Sequence, residues 1–152
     1  MSSLRRFLLN LIGSYTASTL SFLLENLGKT VIITGAQIPI SEVRNDGLDN
    51  LLGALTIARS YTIPEVSVFF NNRLYRGNRT MKSSSFDFDA FSSPNLPALC
   101  KVGVDIDVYW DTILRPTALK AMQVHKKLSP NVVRFALYPG IQASTLKAVL
   151  AE

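Results

Sequence analysis

The side chains that could do chemistry are spread thinly along this chain. Lys82 closes the stretch Arg76-Gly77-Asn78-Arg79-Thr80-Met81-Lys82. A lysine serves as a general base only where its surroundings keep part of it neutral, so by residue type alone Lys82 is one of several loop lysines. Ser83, Ser84 and Ser85 follow directly. A hydroxyl is a weak nucleophile without an adjacent base, and no positioned base can be picked out, so they read as ordinary loop serines. His125 is the single histidine, and no cysteine or carboxylate pattern around it suggests a metal site or a triad. Asp46 precedes a helical pattern and reads as its cap, with Asn50 one turn further on. Asn95, in Ser93-Pro94-Asn95, carries a donor and an acceptor able to fix a loop. Tyr15 opens an amphipathic stretch, where packing is the expected role. Thr34-Gly35-Ala36 has neither the G-x-G-x-x-G spacing nor a P-loop lysine, and no G-x-S-x-G elbow occurs.

The elements that must position these residues follow from hydrophobic spacing. Leu20, Leu23, Leu24 and Leu27 lie on one helical face, which predicts a helix over 15–27 ended by Gly28. The unbroken Val31-Ile32-Ile33 predicts a strand over 30–34 covered on both faces, as in a parallel sheet. Residues 46–61 predict a second helix, with Leu48, Leu51, Leu52, Leu55 and Ala58 as its buried face and Ile57 at the flank. After Pro64, the stretch Val66 to Phe70 predicts the next buried strand. Helix, strand, helix, strand is the order of an α/β layer arrangement. The following segment, with its paired asparagines, basic residues and serines, reads as loop and short strand beyond a sheet end, where open parallel sheets place their ligands. A strand is expected over 101–106, a linker over 107–115, a strand over 132–137, a turn at Pro139-Gly140 and a helix from Ala143. Residues 118–128 fit either a helix or an alternating strand.

Composition bounds the class. The 152 residues, 47% apolar and 18% charged, suit one folded domain of ordinary size. The net charge of +5 comes from scattered basic residues with no nucleic-acid reading module beside them, so a nucleic-acid partner is not expected. The lone Cys100 excludes an internal disulfide. Two arginines precede the apolar run from Phe7 to Ile12, but no cleavage site follows it. No stretch approaches the roughly 20 apolar residues that span a bilayer. A cytoplasmic protein without membrane attachment is the expectation.

Several stretches in order carry a family resemblance: TASTLSFLLENLGKTVIITGAQIP, Arg44-Asn45-Asp46-Gly47 with Asn50-Leu51, IPEVSVFFNNRLYRGNRTMK, FDAFSSPNLPAL and VGVDI. Together, from Tyr15 to the end, they resemble the asparaginase and glutaminase family. They are most similar to its cytosolic (type I) members and to the N-terminal part of the animal asparaginase also described as a lysophospholipase. The resemblance implies an α/β fold: the later part of a parallel-sheet large domain over 15–106, a linker over 107–115, and the start of a small α/β domain over 116–152. It leaves 1–14 as an atypical leading segment and makes the chain an internal fragment of a longer enzyme.

The chemistry implied is hydrolysis of L-asparagine to L-aspartate and ammonia by a threonine nucleophile, with no metal or organic cofactor. Lys82 matches the family's catalytic lysine, Asp46 and Asn50 match a segment near the substrate or a subunit contact, and Asn95 matches a recurrent asparagine. The family's threonine-aspartate pair falls at Asn10 and Leu11, and the His-Gly before it at Leu8 and Leu9. Its first threonine would lie upstream of Met1 and its C-terminal carboxylate beyond Glu152. Both catalytic threonines are therefore expected to be missing, and activity of this chain is an open question. The alternative is a non-catalytic homologue that associates with a complete paralogue. Expected partners are a small-molecule amide and a homo-oligomer or that paralogue.

Overall fold

In this computed structural model residues 3–84, 86–115 and 120–150 are described, with side chains from residue 13 onward. A five-stranded sheet is laid over by one helix on each face. Helix α1 (Ser3–Leu23) packs on one side, and helix α2 (Gly47–Ser60) on the other. The sheet contains β2 (Val31–Ile33), β3 (Val66–Phe70), β4 (Arg73–Arg76), β7 (Cys100–Val102) and β8 (Ile106–Val108), in that spatial order. Two small pairs lie outside it. One joins β1 (Leu24–Glu25) to β9 (Gln123–Val124), and the other joins β5 (Met81–Lys82) to β6 (Phe91–Ser92). A final helix, α3, covers Ala143–Leu150.

The architecture is mixed α/β. The parallel expectation holds for the β2–β3 pair, in register Ile32 to Ser67, while β3–β4, β4–β7 and β7–β8 are antiparallel. Short connections explain the β3–β4 and β7–β8 pairs. Phe70-Asn71-Asn72-Arg73 is a two-residue hairpin turn, with φ of 45° and 61° at the asparagines. Asn tolerates those left-handed values, and such turns match the twist of antiparallel strands.

Strand β3 is the spine of the core and is buried at every residue. Its side chains alternate: Val68 and Phe70 pack with Ala17 of α1, Tyr75, Ala90 and Phe91, while Phe69 packs with Ala54 and Ile57 of α2, Leu74, Leu99 and Cys100. Two glycines let the helices close in. A Cβ at Gly53 would come within 2.5 Å of the Phe69 ring, and one at Gly77 within 2.9 Å of both Ser21 Oγ and the Val66 carbonyl.

Several expectations are corrected. Helix α1 stops at Leu23, four residues before the predicted end, because Leu24 and Glu25 pair with Val124 and Gln123, and Asn26 takes φ of 54°. Strand β2 is half-buried throughout and not covered on both faces. The strand expected over 101–106 is a hairpin, β7 and β8, bent at 103–105. The expected linker begins inside β8 and then forms a 3₁₀ turn, Trp110–Thr112. No strand forms over 132–137, where Val132, Val133 and Leu137 are exposed without a strand neighbour among the described residues. The 118–128 alternatives resolve to a two-residue strand within the described part.

The largest correction concerns α2. Its buried residues are Gly47, Asn50, Ala54 and Ile57, so Ile57 is the centre of the packed face and not its flank. The four leucines expected inside point outward, with relative exposures of 52% at Leu48, 42% at Leu51, 52% at Leu52 and 57% at Leu55. Ala58 is exposed with them. Small residues toward the sheet allow the close contact with Phe69, which a leucine face could not make.

Candidate active site

The C-terminal ends of β2 and β3 gather the polar residues. Asp46 ends the loop before α2, but its side chain caps no helix N–H. Its carboxylate instead accepts the backbone N–H of Gln37 at 3.0 Å, that of Ile38 at 2.9 Å and the Asn50 amide at 3.1 Å. Asp46 thus holds the expected N-cap position, but its side chain folds the 37–46 loop back on itself instead of bonding the helix end. Asn50, only 3% exposed, also donates to the Gly35 carbonyl at 3.0 Å and accepts the Asn71 N–H at 3.0 Å. One amide thus ties the turn after β2, the start of α2 and the β3–β4 hairpin together.

A cavity of about 220 Å³ opens beside this node, lined by Arg44, Asn45, Asp49, Asn71, Asn72 and Phe88. The Arg44 guanidinium stands 5.5 Å from the centroid of the Phe88 ring. Gln37, 7% exposed, donates from its side chain to the Asp87 carbonyl at 3.0 Å, which links the node to the loop following Lys82.

Lys82 ends β5 and pairs in register with Phe91 of β6. Its Nζ is out of solvent, and burial pushes its pKa down from the ordinary lysine value. Loss of hydration disfavours the ammonium form, which is the environment a lysine base needs. Phe91 also walls a narrow crevice with Gly13, Thr34 and Gly35, so the Lys82 hairpin and the turn after β2 meet at one place. Helix α1 packs over β5. The matched positions Leu8, Leu9, Asn10 and Leu11 belong to that helix, but their side chains lie outside the described residues.

The other candidates are placed elsewhere or are otherwise engaged. Asn95 is exposed in the turn between β6 and β7. Tyr15 is 67% exposed on α1, so the expected packing role is not realised. Ser84 accepts the N–H groups of Phe86 and Asp87 at 3.1 Å in a local turn, Ser83 donates to the Asp89 carbonyl, and Ser85 lies outside the described residues. His125 does have a carboxylate partner, Glu25, at 2.8 Å on the surface. That contact spans 100 positions and was invisible to sequence spacing. Among the described residues no cluster of three or more metal-ligating side chains occurs.

Sequence reasoning missed Gln37 and the pair Glu65–Arg76. Glu65, 5% exposed, receives Arg76 in a two-pronged ion pair and the Leu114 N–H at 2.6 Å, while Arg76 also donates to the Thr112 carbonyl at 2.7 Å. These bonds fasten residues 112–114 to the sheet. The available signal was an acidic residue just before β3 and a basic residue at the end of β4.

Comparison with known proteins gives a consistent set. A family model described as "Asparaginase, N-terminal" matches residues 14–114. L-asparaginase 1 of Escherichia coli K12 is 50% identical over 91% of this chain, which spans 41% of that protein. The 60 kDa lysophospholipase of Mus musculus is 47% identical over 90% of this chain, which spans 24% of it. The crystal structure of L-asparaginase I from Vibrio cholerae superposes with a TM-score of 0.80 at 44% identity, covering 91% of this chain and 42% of that one. The chain therefore spans less than half the length of these relatives.

Proposed function

The chain belongs to the asparaginase family, and from that premise we propose that it is an asparaginase-type amidohydrolase homologue in which Lys82 is the inherited general base. The observation that carries this is the buried, pKa-lowered ammonium of Lys82 beside the end of β2. The reaction is hydrolysis of L-asparagine to L-aspartate and ammonia, in which a threonine attacks the amide carbon while the lysine accepts its proton. Asp46 and Asn50 position the turn next to the substrate. Asn10 and Leu11 stand at the positions matched to threonine and aspartate, so the hydroxyl and the carboxylate expected at those two positions are replaced. We place it in the cytosol, in line with the absence of a membrane-crossing helix among the described residues. A division into large-domain residues 15–106, linker 107–115 and small-domain residues 116–152 is supported by the core, which has no buried apolar member beyond Ile113 among the described residues.

Ammonia release from L-asparagine, measured on the chain and on Lys82→Ala, tests both parts. The expected result is no turnover from either. Turnover lost in Lys82→Ala would overturn the inactivity of this chain and uphold the lysine as base. Turnover surviving the substitution would overturn the role of Lys82. A readout independent of turnover is the titration of the Lys82 side chain by NMR: a pKa at the ordinary lysine value would remove the physical basis of the assignment.

A further inference from the structure

We infer that Phe91 is the positioning residue of Lys82: its ring, braced by Phe70, forms the wall that keeps water from the amine end of the lysine. This rests on the reading of Lys82 as the inherited base and names the side chain that makes such a base workable. The two residues are register partners across the β5–β6 pair, and directly opposed residues of an antiparallel pair share one face, with their Cβ atoms about 5 Å apart. The alternation of the strands identifies that face. In the neighbouring register pair, Met81–Ser92, Met81 is exposed, whereas Phe91 is buried and Lys82 Nζ lies out of solvent. Lys82 and Phe91 therefore share the inward face of their hairpin, toward α1.

Phe91 is fixed from two sides. Its ring meets that of Phe70 at 5.0 Å between centroids with a tilt of 59°, a favourable aromatic arrangement. Its tip reaches helix α1, where a Cβ added at Gly13 would lie 3.9 Å from Cζ. The crevice of about 30 Å³ that Phe91 borders with Gly13, Thr34 and Gly35 does not extend to Lys82, and a space of that size admits a water. Phe91 is the side chain common to the crevice and to the strand pair of the lysine, so its removal opens the crevice toward the amine.

The titratable groups around the hairpin are engaged or turned away. Among the described side chains, α1 offers one such group, the exposed Tyr15, and β6 offers none. In the loop between β5 and β6, Asp89 pairs with Arg73 at 3.5 Å and Asp87 accepts the Ser84 hydroxyl at 3.0 Å. Loss of hydration is what lowers the Lys82 pKa, and a fixed apolar ring beside the lysine is what removes the water.

NMR titration of the Lys82 Cε and Nζ resonances in the full chain, assigned by their loss in Lys82→Arg, tests this. Phe91→Ala should move the Lys82 pKa upward, toward the ordinary lysine value, because water then reaches the ammonium. Phe91→Leu keeps apolar cover without the ring tip at Gly13 and should give a smaller upward shift. Phe69→Leu loosens the core on the other face of the sheet, toward α2, and should lower thermal stability while leaving the Lys82 titration in place. No upward shift in the more truncated of the Phe91 variants that folds would overturn the inference. So would failure of both to fold, which would make Phe91 a general core residue, or an equal shift in Phe69→Leu. A lowered wild-type pKa with unmoved Phe91 variants leaves the lysine reading standing and removes Phe91 alone. A wild-type Lys82 that titrates at the ordinary value removes the lysine reading and this inference with it.

Discussion

Asn50 offers the sharpest test of how the candidate site is held. Its amide donates to the Gly35 carbonyl and to Asp46, and accepts the Asn71 N–H, all within 3.0–3.1 Å and almost wholly out of solvent. Asn50→Ala removes all three bonds. A neutral hydrogen bond contributes about 1 kcal/mol and one to a charged group about 1.5–3 kcal/mol. Simple addition gives roughly 3.5–5 kcal/mol, and access of water to the exposed Gly35 and Asn71 lowers the expected loss to about 2–4 kcal/mol. Asn50→Asp separates geometry from charge. It keeps the acceptor for Asn71 but sets a carboxylate against Asp46 and against the Gly35 carbonyl. At neutral pH it should cost at least as much as alanine, and it should recover part of that loss under mildly acidic conditions, where the introduced carboxyl group, once protonated, can donate again. Urea unfolding at pH 7 and pH 5, followed by circular dichroism, measures both effects. A loss below about 1 kcal/mol for Asn50→Ala, or an aspartate variant indifferent to pH, would refute the view that this amide organises the sheet end.

Two further outcomes follow from buried groups. Burial, reinforced by the charge of Asp107, pushes the Cys100 thiol up from 9.0 to about 11. The folded state therefore holds its proton more tightly than the unfolded chain. The stability this contributes is intact at neutral pH and is lost as pH rises from about 9 toward 11, up to roughly 3 kcal/mol at about 1.4 kcal/mol per unit. Cys100→Ala should flatten that alkaline decline in urea midpoints, and an unchanged decline would assign it to other groups. Glu65→Leu leaves Arg76 largely buried without its carboxylate and frees the Leu114 N–H. It should cost about 3–5 kcal/mol in urea unfolding and increase hydrogen exchange at Leu114, and a loss under about 1 kcal/mol would show that residues 112–114 are held by other contacts.

Local pattern alone located the elements with one available partner type. The run from Val66 to Phe70 forms a strand over the expected residues, α2 lies within one residue of its expected ends, and the turn at Pro139-Gly140 and the helix from Ala143 form where predicted. The motifs around Lys82 also sufficed to recognise the family. The sequence did not show that Lys82 is desolvated, since burial depends on β6 and α1, which arrive from other parts of the chain. Asp46 was legible as the N-cap position because caps are local; the partners of its side chain, Gln37 and Ile38, lie nine and eight positions back.

The residues by themselves determined where backbone hydrogen bonds could run and where turns had to fall, since Asn-Asn, Pro-Gly and β-branched runs act within a few bonds. Tertiary structure decided which surface each element hides. Helix α2 carries apolar residues on opposite sides, so periodicity permitted either face to be buried. The Phe69 ring beneath Gly53 selected the side with small residues and turned the leucines outward. That choice is made by van der Waals distance between segments far apart in sequence, a quantity with no local signature.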